Sequence, residues 1–131
     1  MIINEEFSES ETVTDDVAIM ITIPKTIKWS EYEKELETVK DGNETMFYKV
    51  SSLPKRIHEG SRCYICYSGK VVGWMTVDFV GTMDQFKCST TGKDWSDGYY
   101  VGRTGEFHYL DNEYPQKGFM GYRYVNPSDF E

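Results

Sequence analysis

The chain predicts an α+β fold, a small pseudo-barrel of about six or seven mostly antiparallel strands with one main early helix. Three observations carry this. Only residues 30–40 repeat their apolar side chains at helical spacing. Downstream, segment after segment combines aromatic or β-branched residues with turn signals between them. Ser68-Gly69 is a two-residue connection of the kind that closes a β-hairpin between two strong strand patterns. A closed or nearly closed barrel buries one face of each strand and removes exposed edges.

In chain order, residues 17–23 form a nearly continuous apolar run of strand length, stopped by Pro24. Ser30 is suited to cap a helix, with Glu31 and Glu33 in its first turn, Tyr32, Leu36 and Val39 on one face, and Asp41-Gly42 as the stop. Further strands are expected at 46–50, 62–68, 70–80, 85–89, 105–110 and 118–125. Tyr64, Ile65, Val71, Trp74, Val77, Phe79, Phe107, Phe119 and Tyr124 are the candidates for the core or for a pocket in its wall.

The 131 residues suit one domain, fed by 15% aromatic residues. It is expected at 17–131, behind an acidic N-terminal tail at 1–16. No apolar run approaches the ~18 residues of a membrane helix. The first sixteen residues lack the basic start and apolar middle of a secretory signal. A cytoplasmic location is therefore expected, in which the three cysteines stay reduced.

The net charge of −8 is unevenly spread. Glu5, Glu6, Glu9, Glu11, Asp15 and Asp16 all fall in the tail. Taking these six from the 22 acidic side chains leaves 16 against 14 basic ones, a net of −2 for the body. Such a surface has no generic phosphate-binding stripe, which argues against non-specific duplex binding and requires any affinity for a polyanion to come from a local patch.

The segment Leu53-Pro54-Lys55-Arg56-Ile57-His58-Glu59-Gly60-Ser61-Arg62 supplies such a patch. Pro54 fixes the backbone, Lys55 adds a point charge, Arg56 offers a planar donor fork to phosphate, and Arg62 joins them if the loop folds back. Trp29, Trp74, Trp95, Tyr99, Tyr100, Tyr122 and Tyr124 provide rings for stacking, which tolerates any base and needs no net positive charge. Trp95 stands in a polar loop, either packed over a barrel mouth or serving as a ligand platform. Strand alternation sends Arg123 to the face opposite Tyr122 and Tyr124, with Phe119 and Gly121, as a barrel-lining anion contact or an outward charge.

Cys63 and Cys66 have the spacing of a metal or redox pair, but in a strand residues three apart face opposite ways, so neither a metal nor a cofactor is expected. No nucleophile elbow, zinc-protease helix or phosphate-cradling loop is present, and His108, in an alternating strand, reads as structural.

The order strand, helix, Phe47-Tyr48-Lys49-Val50, Leu53-Pro54-Lys55-Arg56-Ile57, Gly60-Ser61-Arg62-Cys63-Tyr64 and the hairpin through Gly69-Lys70-Val71-Val72-Gly73-Trp74 resembles the PUA-like superfamily, including its ASCH and EVE branches, over about residues 17–125. The resemblance implies a pseudo-barrel whose cleft takes RNA, modified bases or related ligands, held in EVE-like relatives by an aromatic-lined pocket. The ASCH signature Gly-x-Lys-x-x-Glu-x-Arg aligns with residues 26–33, where Lys28 and Glu31 match while Thr26 and Glu33 replace its Gly and Arg. In a ribonuclease-like member, Lys28 would meet an anion and Glu31 would orient it or act as a base.

The expected function is a nucleic-acid- or nucleotide-recognising module without catalysis. Its ligand, a short or modified nucleic acid or a nucleotide-like molecule, is expected to meet Lys55, Arg56, Arg62, Trp74, Trp95, Tyr99 and Arg123. The alternatives are a protein-interaction module, inhibitor or accessory factor whose acidic tail imitates a polyanion, and a degenerate ASCH-type ribonuclease using Lys28 and Glu31.

Overall fold

The computed structural model describes residues 17–83 and 98–131 in full and, between them, the backbone of 86–87 and 94–95. The expectations for the tail at 1–16 and for the Trp95 side chain lie outside the described residues. The elements are β1 (Ala18–Thr22), α1 (Trp29–Val39), β2 (Met46–Val50), β3 (Arg62–Tyr67), β4 (Lys70–Met83), β5 (Phe86–Lys87), β6 (Asp94–Trp95), β7 (Gly98–Pro115), β8 (Tyr122–Val125) and a 3-10 turn at Pro127–Phe130.

Six strands form one mixed sheet in the order β2-β7-β4-β3-β1-β8, and β5 pairs with β6 in a separate ribbon. Only the β1–β3 pair is parallel; the others are antiparallel. The sheet is not closed into a barrel, because β2 and β8 are its two edges and share no ladder.

β1 explains its own sequence. Ala18, Ile19, Met20 and Ile21 are all buried because the strand runs between two neighbours with a core on each face. On one face Ile19, Ile21, Cys63, Ile65, Met75, Val77 and Val101 pack with Tyr32, Leu36 and Val39 of α1. On the other Ala18, Met20, Tyr64, Cys66 and Val71 pack with Trp74, Tyr114 and Phe130. Cys63 and Cys66 thus face opposite cores, as their spacing requires. Of the expected core, Tyr64, Ile65, Val71 and Val77 are buried, while Trp74, Phe79, Phe107, Phe119 and Tyr124 are half-buried.

The helix starts earlier than the Ser30 cap predicts, with Lys28 in the N-cap position. The Lys28 carbonyl accepts from the backbone N–H groups of Glu31 and Tyr32. The cause is Trp29, whose ring lies 5.2 Å from Tyr32, 5.1 Å from Tyr67 and 5.8 Å from Phe107, so that packing draws the cap back by two residues. The helix ends where Gly42 takes φ +84. Ser68 and Gly69 both have positive φ, 53 and 85, the signature of a type I′ hairpin turn.

β7 corrects the largest strand error. It runs for 18 residues, far beyond 105–110. Gly98, Gly102 and Gly105 read as breaks, yet at least one of them is required by packing. A Cβ on Gly102 would come within 2.7 to 2.9 Å of atoms of Thr45, Asp78 and Phe79, where β4 shifts register against β7. β8 is shorter than 118–125, and β6 forms where a loop was expected.

Gly73 gives a direct test of the β4–β7 contact. A Cβ there would sit 2.5 Å from the His108 carbonyl oxygen and against the Phe107 ring, and the backbone cannot move aside. Gly73→Ala is expected to lose about 1–3 kcal/mol in urea denaturation; an unchanged midpoint would show that the bulge is free to shift.

Candidate ligand cleft between the sheet edges

The two unpaired edges face each other across a cleft of about 690 Å³. Tyr48, Lys49 and Val50 of β2 and the following Ser51 form one wall; Gly118, Phe119, Met120 and Gly121, leading into β8, form the other; Thr22 and Pro24 complete it. Side chains rather than a ladder tie the edges together. Ser52 Oγ lies 3.3 Å from the Tyr122 hydroxyl, and the Arg56 backbone N–H donates to the Tyr124 hydroxyl at 3.2 Å.

The far wall is fixed by its backbone. The Phe119 N–H donates to Thr22 Oγ1 at 3.2 Å, and Gly121 takes φ +74, a conformation that turns the chain into β8. Met120 is left 96% exposed, an unbranched apolar side chain beside an open cleft. Alternation holds in β8: Tyr122 and Tyr124 pack against the helix-side core, while Arg123 lies over the Phe119 ring at 4.2 Å on the other face.

The segment 53–62 is anchored by burial of Pro54 and Ile57 and by hydrogen bonds that tie Gly60 and Ser61 to Val77. Lys55 and Arg56 are thereby displayed to solvent, and the Arg56 guanidinium lies 5.0 Å from the Tyr124 ring centroid. Burial raises the pKa of the Tyr124 hydroxyl, with the nearby Tyr122 adding to the effect and the Arg56 N–H and charge opposing it.

The other expected ligand residues lie elsewhere. Trp74 carries the Arg62 guanidinium over its ring at 4.1 Å and stacks with the exposed His108 at 4.0 Å, on the face opposite Tyr124. Arg62 also donates to the Tyr64 hydroxyl at 3.1 Å and lies 3.8 Å from Glu131. Trp74 and the Lys55–Arg56 loop therefore do not share a cleft. Tyr99 is 40% exposed and pairs with Val50, one strand in from the cleft wall. Lys28 and Glu31 are exposed at the start of α1 and do not line the cleft.

Carboxylates separate this cleft from two others on the described surface. A pocket of about 570 Å³ beside α1 is lined by Glu33, Glu37 and Glu106 together with Lys34 and Lys40. Another of about 480 Å³, walled by Trp29, Tyr67 and Tyr109, carries Asp111 and Glu113, the latter 3.6 Å from Lys70. Among the described residues, the cleft between the edges has no carboxylate in its lining, and Lys49 is its only charged lining residue. Of these three pockets it is the one whose lining puts no carboxylate against an anion.

Behind Tyr48 lies a buried polar group that sequence reading missed. Arg103 of β7 is 2% exposed in the helix-side face, and its Nη1 donates to the Tyr32 hydroxyl at 2.7 Å. A lone arginine between Gly102 and Thr104 reads as a surface charge; only the length of β7 reveals that it points inward. Burial pushes the nearby Cys63 thiol up to about 11, so it is neutral and unreactive at neutral pH.

This shift sets a stability window. Unfolded Cys63 ionises from its ordinary 9.0 while the folded thiol stays protonated to about 11, so stability falls as pH rises through that interval. Denaturation midpoints between pH 8 and 11 are expected to decline less steeply in Cys63→Ala; an equal decline would assign the alkaline loss to other groups.

No protein-family model, curated protein or solved structure matches this chain.

Proposed function

We propose that this chain is a nucleic-acid- or nucleotide-recognising binding module with a PUA-like pseudo-barrel arrangement, and that its ligand enters the cleft between β2 and β8. One observation carries the reading: a cleft of about 690 Å³ whose described lining contains Tyr48, Phe119 and Lys49 and no carboxylate. Arg123 on Phe119 and Arg56 on Tyr124 add cations held against rings beside it.

The volume falls in the range of about 300–1,000 Å³ typical of small-ligand pockets. An unstacked base inserted there gains ring contacts of about 1–3 kcal/mol, and the flanking phosphates meet the surrounding cations. The outward N–H and C=O groups of edge strand β2 supply further hydrogen-bonding partners for a base edge. The partner class is a short, single-stranded or modified nucleic acid, or a nucleotide. A long duplex gains nothing from so local a patch. No catalysis is proposed, because Lys28 and Glu31 stand apart from the cleft.

The test is fluorescence anisotropy with short labelled RNA and DNA single strands. Phe119→Ala is expected to weaken binding by about 5- to 100-fold, from the stacking it removes. Arg123→Ala is expected to weaken it and flatten its salt dependence. Absence of binding by the wild type, or equal binding by Phe119→Ala, removes the cleft as a nucleic-acid site. Capture of a protein partner by a chain that binds no strand would favour the interaction-module alternative.

A further inference from the structure

Arg103 has less company than a buried guanidinium needs. Among the described residues its one hydrogen bond goes to the neutral Tyr32 phenol, and its Nε has no partner although the atom is fully buried. Among the described residues no carboxylate lies within ion-pair distance of it. Glu35, on the same helix as Tyr32, is half-buried and senses the Arg103 charge without touching it. A guanidinium cannot shed its proton to escape burial, unlike lysine or histidine.

The groups around it share one property. Register places Met46 and Val77 directly opposite Arg103, so Tyr48, two residues along β2, lies diagonally across on the same face. Cys63 occupies that face of β3. Burial raises the pKa of Tyr32, Tyr48 and Cys63 alike, which keeps all three protonated at neutral pH. A cation surrounded by two hydroxyls and a thiol, all able to donate, is arranged to receive an acceptor bearing negative charge. Tyr48 belongs both to this cluster and to the cleft wall.

We propose that Arg103 is the inner anchor of the cleft and takes a terminal phosphate of the ligand, admitted past Tyr48, so that the preferred ligand is a nucleotide or a strand with a phosphorylated end. This rests on the ligand cleft proposed above. The guanidinium presents its unpartnered Nε to the phosphate, the Tyr48 hydroxyl donates to it, and the base remains outward near Phe119. Replacing an uncompensated buried charge with an apolar side chain of similar reach removes the cost of desolvation, and with it the reason to bind an anion.

Calorimetry with adenosine, AMP, uridine and UMP tests this, alongside melting midpoints with and without inorganic phosphate. The wild type is expected to bind each monophosphate at least about tenfold more tightly than its nucleoside, in keeping with a charge-assisted contact. Inorganic phosphate alone is expected to raise its melting midpoint. Arg103→Met should retain nucleoside binding, lose the preference for monophosphate, melt higher than the wild type without ligand, and ignore inorganic phosphate. Arg103→Lys, which keeps the charge but loses the planar fork, should show an intermediate preference and decides the matter if the methionine variant does not fold. An unchanged preference in either variant, or a lower ligand-free midpoint in a folded Arg103→Met, overturns the anchor while leaving the cleft standing. No binding of any of the four ligands by the wild type, or nucleoside binding unaffected by Phe119→Ala, overturns the cleft and the anchor together.

Discussion

Tyr32→Phe is expected to destabilise the protein by about 3 kcal/mol, far more than the loss of one hydroxyl at a surface would. The ring stays and no cavity forms, so the effect isolates the hydrogen bond that Arg103 Nη1 makes at 2.7 Å. Without it, no hydrogen bond to the guanidinium remains among the described residues, and Nε is already unpartnered. The cost belongs to the stranded charge rather than to the phenol. A double-mutant cycle separates the two, because Tyr32→Phe combined with Arg103→Met should recover most of the loss. Urea denaturation of the four proteins checks this. Additive effects would mean that the guanidinium draws its compensation from elsewhere.

Tyr64→Ala is the second large effect, at about 3–5 kcal/mol. Tyr64 is fully buried in the middle of the sheet, with Met20 beside it on β1 and Trp74 beside it on β4. Phe130 of the C-terminal 3-10 turn stacks 4.6 Å from its ring, and Arg62 donates to its hydroxyl at 3.1 Å. Truncation therefore empties the second core and unseats the turn that covers it. Tyr64→Phe keeps the ring and is expected to cost only about 1 kcal/mol, since the half-exposed Arg62 can turn to water. If alanine costs no more than phenylalanine, the face away from the helix is not a core at all.

Local pattern carried the parts of the fold that local physics dictates. Tyr32, Leu36 and Val39 marked the buried helix face, Ser68-Gly69 marked the hairpin, and the 17–23 run marked a strand, which the structure buries on both sides. β7 was shortened in the reading because glycine signals a turn by its conformational freedom and also serves where another strand comes close. Gly102 serves the second purpose, which only the β4 register reveals. Closure was expected from strand number and edge avoidance, but the sheet stays open, because whether two edges meet depends on the geometry of the whole sheet.

The candidate site was legible in part. Arg56 and Arg123 do stand against rings near the cleft, and the face of Arg123 followed from alternation. Trp74 and Arg62 found each other instead, because adjacent strands β3 and β4 bring them together on the face away from Tyr124. Tyr48 and Phe119 line one cleft while lying 71 positions apart in the chain, a juxtaposition no spacing rule can express.

The position of β1 constrains how the molecule reaches this state. The strand pairs on one side with β3 and on the other with β8, where Ala18 meets Val125 across 107 positions of sequence. Its apolar run is among the first parts of the domain to be synthesised and among the last to be enclosed. Until the final strand docks, a continuous Ala-Ile-Met-Ile edge stands open as a template for another copy of itself. Folding should accordingly be slow, in the millisecond-to-second regime of non-local sheets. A chain stalled before residue 122 would leave that edge exposed to self-association.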